Sequence, residues 1–170
     1  MLSSRLIGHS FLIASLVLTG CRTQSSPPET NLPSENALKI MPLGDSITVG
    51  HDVPGGYRTL LWQKLTDRGY EIDFVGSVQN GPRALPDKDH EGHAGWRIRD
   101  LRSQIQSWLQ QTQPDIVLLM IGSNDILKND EPSTAPDRLQ KLLEDIFAEV
   151  PDATVLVSSI PPIDDPASDR

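Results

Sequence analysis

The sequence predicts an α/β domain in which helices cover both faces of a parallel sheet, a three-layer α/β/α doubly wound arrangement. Three observations carry that prediction. Four short apolar runs recur along the chain, three of them ending at a glycine. Stripes of apolar residues at helical spacing separate the runs. The 170 residues, 37% apolar and 22% charged, suffice for one modest core and not for two. Strands apolar on both faces that alternate with amphipathic helices belong to sheets wound by right-handed crossovers.

The N-terminal 20 residues stand apart from that pattern. Met1 to Leu6 has Arg5 as its only charged side chain, and Leu6 to Leu18 is mostly apolar, interrupted by Gly8, His9, Ser10 and Ser15. This is the positive start and short apolar stretch of an export signal, and it is too short for a stop-transfer helix. It ends in Leu18-Thr19-Gly20-Cys21, which resembles the bacterial lipobox. The resemblance implies cleavage before Cys21, the single cysteine of the chain, and attachment of a diacylglycerol to its sulfur. Several acyl chains, each contributing about 0.8 kcal/mol per buried methylene, hold a protein firmly to a membrane. The expected location is therefore the bacterial cell envelope, and Arg22 in place of Asp sends such proteins to the outer membrane of a Gram-negative host. Residues 21 to 37 are rich in Pro, Ser and Thr, with Leu32 the main aliphatic side chain before Ala37, and read as a disordered tether. The globular domain is expected over residues 38–170.

Within it, strands are expected at Leu38 to Leu43, Ile72 to Val75, Ile116 to Ile121 and Thr154 to Val157. Helical stripes run through Tyr57, Leu60, Leu61 and Leu65, then through Ile98, Leu101, Ile105, Trp108 and Leu109, then through Leu139, Leu142, Leu143, Ile146 and Phe147. Pro136 suits the first turn of the last helix, with Thr134 or Ala135 just before it. Val155 to Val157 is expected to leave an apolar edge uncovered.

Composition narrows the function. Fifteen basic against 23 acidic residues give a net charge of -8 and a pI near 4.8, which lacks the electrostatic footprint of a nucleic-acid binder. One cysteine excludes a disulfide framework and a multi-thiolate metal site. His90 to His93 and His51-Asp52 read as hydrogen-bonded loop anchors rather than metal ligands, so neither metal nor cofactor is expected.

In doubly wound sheets chemistry collects in the loops at the carboxyl ends of the strands. Three such loops are informative: Gly44-Asp45-Ser46-Ile47-Thr48-Val49-Gly50, His90-Glu91-Gly92-His93-Ala94-Gly95-Trp96 and Gly122-Ser123-Asn124-Asp125. A serine at a strand-to-helix junction can expose its oxygen while its own N–H points into the same space. Ser46 is placed for that. The Asn124 amide and the Gly95 N–H could complete a set of donors around an acyl oxygen. Asp45 and Asp125 read as loop-ordering residues that accept from nearby backbone N–H groups. Trp108 reads as core and Trp96 as core or a sugar platform. Ser46 lacks the Gly-x-Ser-x-Gly of the α/β-hydrolase elbow, and Gly44 to Gly50 lacks the lysine of a phosphate loop.

These residues resemble the SGNH (GDSL) hydrolases. Gly44-Asp45-Ser46 and Gly122-Ser123-Asn124-Asp125 match that family's first and third blocks in order, and Gly95, with Gly92 as runner-up, matches the second. Gly55-Gly56-Tyr57-Arg58, Asp73 to Ser77 and His90 to Trp96 resemble the carbohydrate esterase family 3 branch, whose members remove acetyl groups from xylan. The resemblance implies a flavodoxin-like SGNH fold and a serine esterase acting on a small O-linked acyl group of a carbohydrate. It assigns Ser46 as nucleophile and Ser46, Gly95 and Asn124 as oxyanion donors.

The resemblance also implies an Asp-x-x-His block after a fifth strand, and no histidine follows the fourth strand here. Asp87-Lys88-Asp89-His90 is a formal match, but it precedes Gly95 and belongs to the second strand's loop. The expectation is a fold incomplete at its C-terminus, from a truncated or frameshifted reading frame, whose product is nearly inactive. Two alternatives stand beside it: a non-catalytic, lipid-anchored module that keeps the cleft to bind acylated or sugar ligands, and a lysophospholipase or thioesterase of the same superfamily.

Overall fold

The computed structural model describes Ser34 and residues 36–162. The expectations for the export signal, Cys21 and most of the tether fall outside them. Six strands form: β1 (Leu38–Gly44), β2 (Ile72–Phe74), β3 (Val78–Gln79), β4 (Asp89–Gly92), β5 (Ile116–Met120) and β6 (Thr154–Val157). The helices are α1 (Ser46–Val49), α2 (Gly56–Thr66), α3 (Ile98–Arg102), α4 (Ile105–Thr112), α5 (Ser123–Leu127) and α6 (Ala135–Glu149), with a 3₁₀ turn at Pro132–Thr134 before α6.

The sheet order is β3-β4-β1-β5-β6, and β2 also pairs with β1. One edge of β1 is shared. Leu38 to Ile40 pair with β2, whereas Leu43 and Gly44 pair with Glu91 and Gly92 of β4. The other edge pairs with β5 from Ile40 to Gly44, and β5 pairs in turn with β6. All these pairs are parallel; β3 and β4 alone are antiparallel. The sheet is therefore mixed rather than wholly parallel, and the segment from Asp89, expected as loop, begins as a strand. Its residues carry no apolar period, yet its backbone finds the edge of β1 that β2 vacates.

The two cores follow the period of 2 along the strands. Met41, Leu43, Val117 and Leu119 face one layer with α3, α4 and α6, where Leu101, Ile105, Leu109, Leu142 and Ile146 are buried. Leu38, Ile40, Ile116 and Leu118 face the opposite layer with Phe74, Leu85 and the Leu61, Trp62 and Leu65 side chains of α2. Helices thus lie on both faces.

Three helical details differ from expectation. The second stripe divides into α3 and α4 at Ser103 and Gln104, where the Ser103 hydroxyl donates to Asp100 O at 2.7 Å. Phe147 stays 46% exposed, because it sits 100° round α6 from Ile146, off the buried face. Leu60 is also exposed. At the sheet edge Val155 packs on the core, whereas Leu156 and Val157 are exposed at 53% and 48%.

Candidate active site

The loop after β1 is built by close approach. A Cβ at Gly44 would lie 2.2 Å from the Met120 carbonyl oxygen, so β1 can reach this point beside β5 only with glycine there. Asp45 then caps α1: its Oδ1 accepts the Ile47 N–H at 3.0 Å. The side chain is fully buried, and burial raises its pKa while the Ile47 amide opposes the shift. Ser46 follows as the first residue of α1, half-buried beside the buried Asp45. Arg58, wholly buried on α2, fastens the far end of α1 by donating to Thr48 O at 2.9 Å and Val49 O at 3.1 Å. It also donates to the carbonyls of Asn80 and Lys88, which brings the β3–β4 hairpin into the same clamp.

The second loop leaves β4 and makes a four-residue turn, closed by the Trp96 N–H to His93 O at 3.2 Å. Gly95 is its third residue at φ +79°, where an L side chain would be strained. The N–H of that position takes no part in closing the turn. Among the described residues neither the Ser46 N–H nor the Gly95 N–H is taken up by another group, so both remain available as donors. Gly92, the runner-up, is different: it is buried in β4 and its N–H donates to His90 Nδ1 at 2.9 Å.

Asn124, half-buried on α5, joins the two loops. Its Nδ2 donates to Trp96 O at 2.9 Å and lies 3.5 Å from Asp45 Oδ2, so the amide sits between the residue after Gly95 and the residue before Ser46. One amide proton orients the group. The other is only loosely held, as an oxyanion donor requires. Asp125 is buried and ties α5 to its surroundings, accepting from the Ile98 N–H at 3.1 Å and from Arg138 Nη2 at 2.8 Å. Both aspartates thus order loops through backbone N–H groups, as read from the sequence. Lys128 adds a contact to Gly95 O at 2.6 Å.

The three described histidines, His51, His90 and His93, are engaged elsewhere. His51 Nδ1 is 3.2 Å from Asp52 on an exposed loop, and His93 Nε2 is 2.6 Å from Glu91. His90 is fully buried, with its pKa driven down to about 3 by burial and then by Arg58 and His93. Asp87, its formal partner, instead accepts from the Phe74 and Asp89 amides. A neutral, enclosed imidazole of this kind is a poor proton acceptor for a serine. Trp96 stacks one ring face on His93, with centroids 4.1 Å apart, leaving that face closed to a sugar. Arg138 and Lys128 carry no sequence period or motif that marks them, and Arg58 and Glu91 lie in motifs that give no hint of their roles; only their contacts bring them to the site.

Residues 43–170 match the GDSL-like lipase/acylhydrolase family. The chain is 34% identical to a multidomain esterase of Ruminococcus flavefaciens over 147 residues, which cover 73% of this chain and 19% of that protein. Among solved structures it is similar to a Clostridium thermocellum family 3 carbohydrate esterase, with 47% identity and a TM-score of 0.68. A family 3 carbohydrate esterase from Talaromyces cellulolyticus has 34% identity and a TM-score of 0.61. Each likeness covers 71% of this chain and 60% of the solved one, so the chain spans well under two thirds of these relatives. With the family match running through all three strand-end loops and most of the sequence, the chain belongs to the GDSL-like lipase/acylhydrolase family.

Proposed function

We propose that the chain carries the nucleophile and the oxyanion-binding side of a serine esterase that cleaves O-acyl, chiefly acetyl, esters of carbohydrates. The observation that supports it most is the Asn124 amide lying between the Asp45 carboxylate, next to Ser46, and the Trp96 carbonyl, next to Gly95. In this reading Ser46 Oγ attacks the ester carbonyl and gives its proton to a base. The Ser46 and Gly95 N–H groups and the Asn124 amide receive the charge that builds on the carbonyl oxygen. Collapse expels the sugar alcohol, and water then releases the acyl group from Ser46. Similarity to the family 3 carbohydrate esterases supports a carbohydrate ester with a small acyl group.

The engaged state of His51, His90 and His93 favours a second reading, in which the 170-residue chain holds acylated or sugar ligands without turning them over. A fluorophosphonate probe separates the two. Labelling of the folded chain that disappears in Ser46→Ala supports the esterase; no labelling of folded protein refutes it and favours the binder. Labelling reads the attack of Ser46 alone and needs no release of product, so it is the suitable readout for the nucleophile. We further read Cys21 as a lipid attachment site, on the strength of Leu18-Thr19-Gly20-Cys21, which tethers the domain to the cell envelope.

A further inference from the structure

The turn that carries Gly95 rests on an unusual support. Glu91, on β4, is fully buried and accepts three hydrogen bonds: from the Ser77 N–H at 2.7 Å, the Ser77 hydroxyl at 2.8 Å and His93 Nε2 at 2.6 Å. The His93 ring stacks on two indoles, whose own centroids lie 5.9 Å apart, so the three rings form one cluster. The imidazole centroid is 4.1 Å from Trp96 at an interplanar angle of 19°, and 4.9 Å from Trp108 at 9°. Trp108 is itself fixed in the core of α4. His93 and Trp96 are the two corners of the turn, so the stack grips both ends of the four-residue segment whose third member is Gly95.

The same segment is registered against the nucleophile. The His93 N–H donates to Gly44 O at 2.9 Å, two residues before Ser46, and Glu91 pairs with Leu43 across the strands. A Cβ on the intervening Gly92 would lie 2.8 Å from Val49 N, so β4 also abuts α1. Burying a carboxylate costs several kcal/mol before its partners compensate, and a well-packed apolar side chain would serve stability at least as well. What an apolar residue cannot do is hold the imidazole by its edge nitrogen against the two indoles.

We infer that Glu91 and His93 are positioning residues that fix the Gly95 turn in the geometry that makes its N–H an oxyanion donor. The inference rests on the esterase reading of Ser46. Removing a whole oxyanion donor typically costs about 10²–10³-fold in rate. Loosening one gives a smaller effect of the same kind, in the chemical step rather than in binding.

Two variants test it in the 170-residue chain. His93→Phe keeps a stacking ring and loses the bond to Glu91, and Glu91→Gln keeps the shape and loses the charge. Fluorophosphonate labelling of Ser46 is followed at several probe concentrations. The expected result is a limiting rate about ten-fold or more lower in both variants, at an unchanged half-saturating concentration, with the folded fraction verified by circular dichroism. Rates per folded molecule equal to the parent's overturn the inference while leaving the esterase reading intact. If the parent does not label Ser46 at all, that reading fails, and amide exchange then judges the positioning role independently. Faster exchange at Gly95 in the variants, with Gly50 unchanged, supports it, and unchanged exchange at Gly95 overturns it.

Discussion

Acidification tests the environment of His90 directly. Its Nδ1 accepts the Gly92 N–H, so the ring proton sits on Nε2, which meets no polar partner among the described residues. Protonating Nδ1 would set two N–H groups against each other and add a positive charge near buried Arg58. Burial, followed by Arg58 and His93, accordingly holds the pKa at about 3 instead of the ordinary 6.5. The unfolded chain takes up a proton near 6.5 that the folded chain refuses until about 3. The native state therefore loses stability as the pH falls through that window, by at most about 1.4 kcal/mol per unit. From pH 7 to 4.5 the loss from this one residue is about 2.5 kcal/mol, against a total stability of about 5–15 kcal/mol for a typical domain. Asp45, Asp73 and Asp87 act in the opposite sense, since burial raises each pKa and the folded state binds their protons more readily. Comparison with His90→Gln, which does not titrate but can accept from Gly92, isolates the histidine. Urea unfolding followed by tryptophan fluorescence at half-unit pH steps is the assay. The stability of the parent relative to the variant should fall by about 2.5 kcal/mol between pH 7 and 4.5. Two curves that run parallel across that range would show that His90 titrates normally in the fold, and would refute the reasoning.

Arg58→Met should lower the unfolding free energy by about 3–5 kcal/mol, because the carbonyls of Thr48, Val49, Asn80 and Lys88 lose a shared buried donor. The loss would be read as a lower urea midpoint at unchanged slope, and a change below about 1 kcal/mol would contradict the clamp. For Cys21, metabolic labelling with a tagged fatty acid should mark the protein in a bacterial host and vanish in Cys21→Ser; equal labelling of both would remove the lipid attachment.

Chain order and apolar period made β1, β2, β5 and the helices of both layers readable, since each buries a repeating face, and β6 was readable from its apolar run although only Val155 packs on the core. The strand β4 was not readable in this way. Asp89, His90, Glu91 and Gly92 include no aliphatic residue, and they enter the sheet because β2 leaves β1 after Ile40 and frees an edge. The break between α3 and α4 was equally hidden, because the stripe from Ile98 to Leu109 continues across it on one buried face.

The sequence alone determined the three motif loops and their order, and it offered Ser46, Asn124 and either Gly95 or Gly92 as candidates for the chemistry, because each lies in a loop at a strand end. The tertiary structure distinguishes Gly95 from Gly92 as a candidate donor, since the Gly92 N–H is given to His90 and the Gly95 N–H is not taken up among the described residues. It alone revealed that Asn124 bridges the two other loops, that Arg58 clamps α1, and that a carboxylate, an imidazole and two indoles support the Gly95 turn. The division has a physical cause. Apolar burial is additive and leaves a period in the chain, whereas polar groups in an interior are satisfied one partner at a time, across sequence separations that leave no pattern to read.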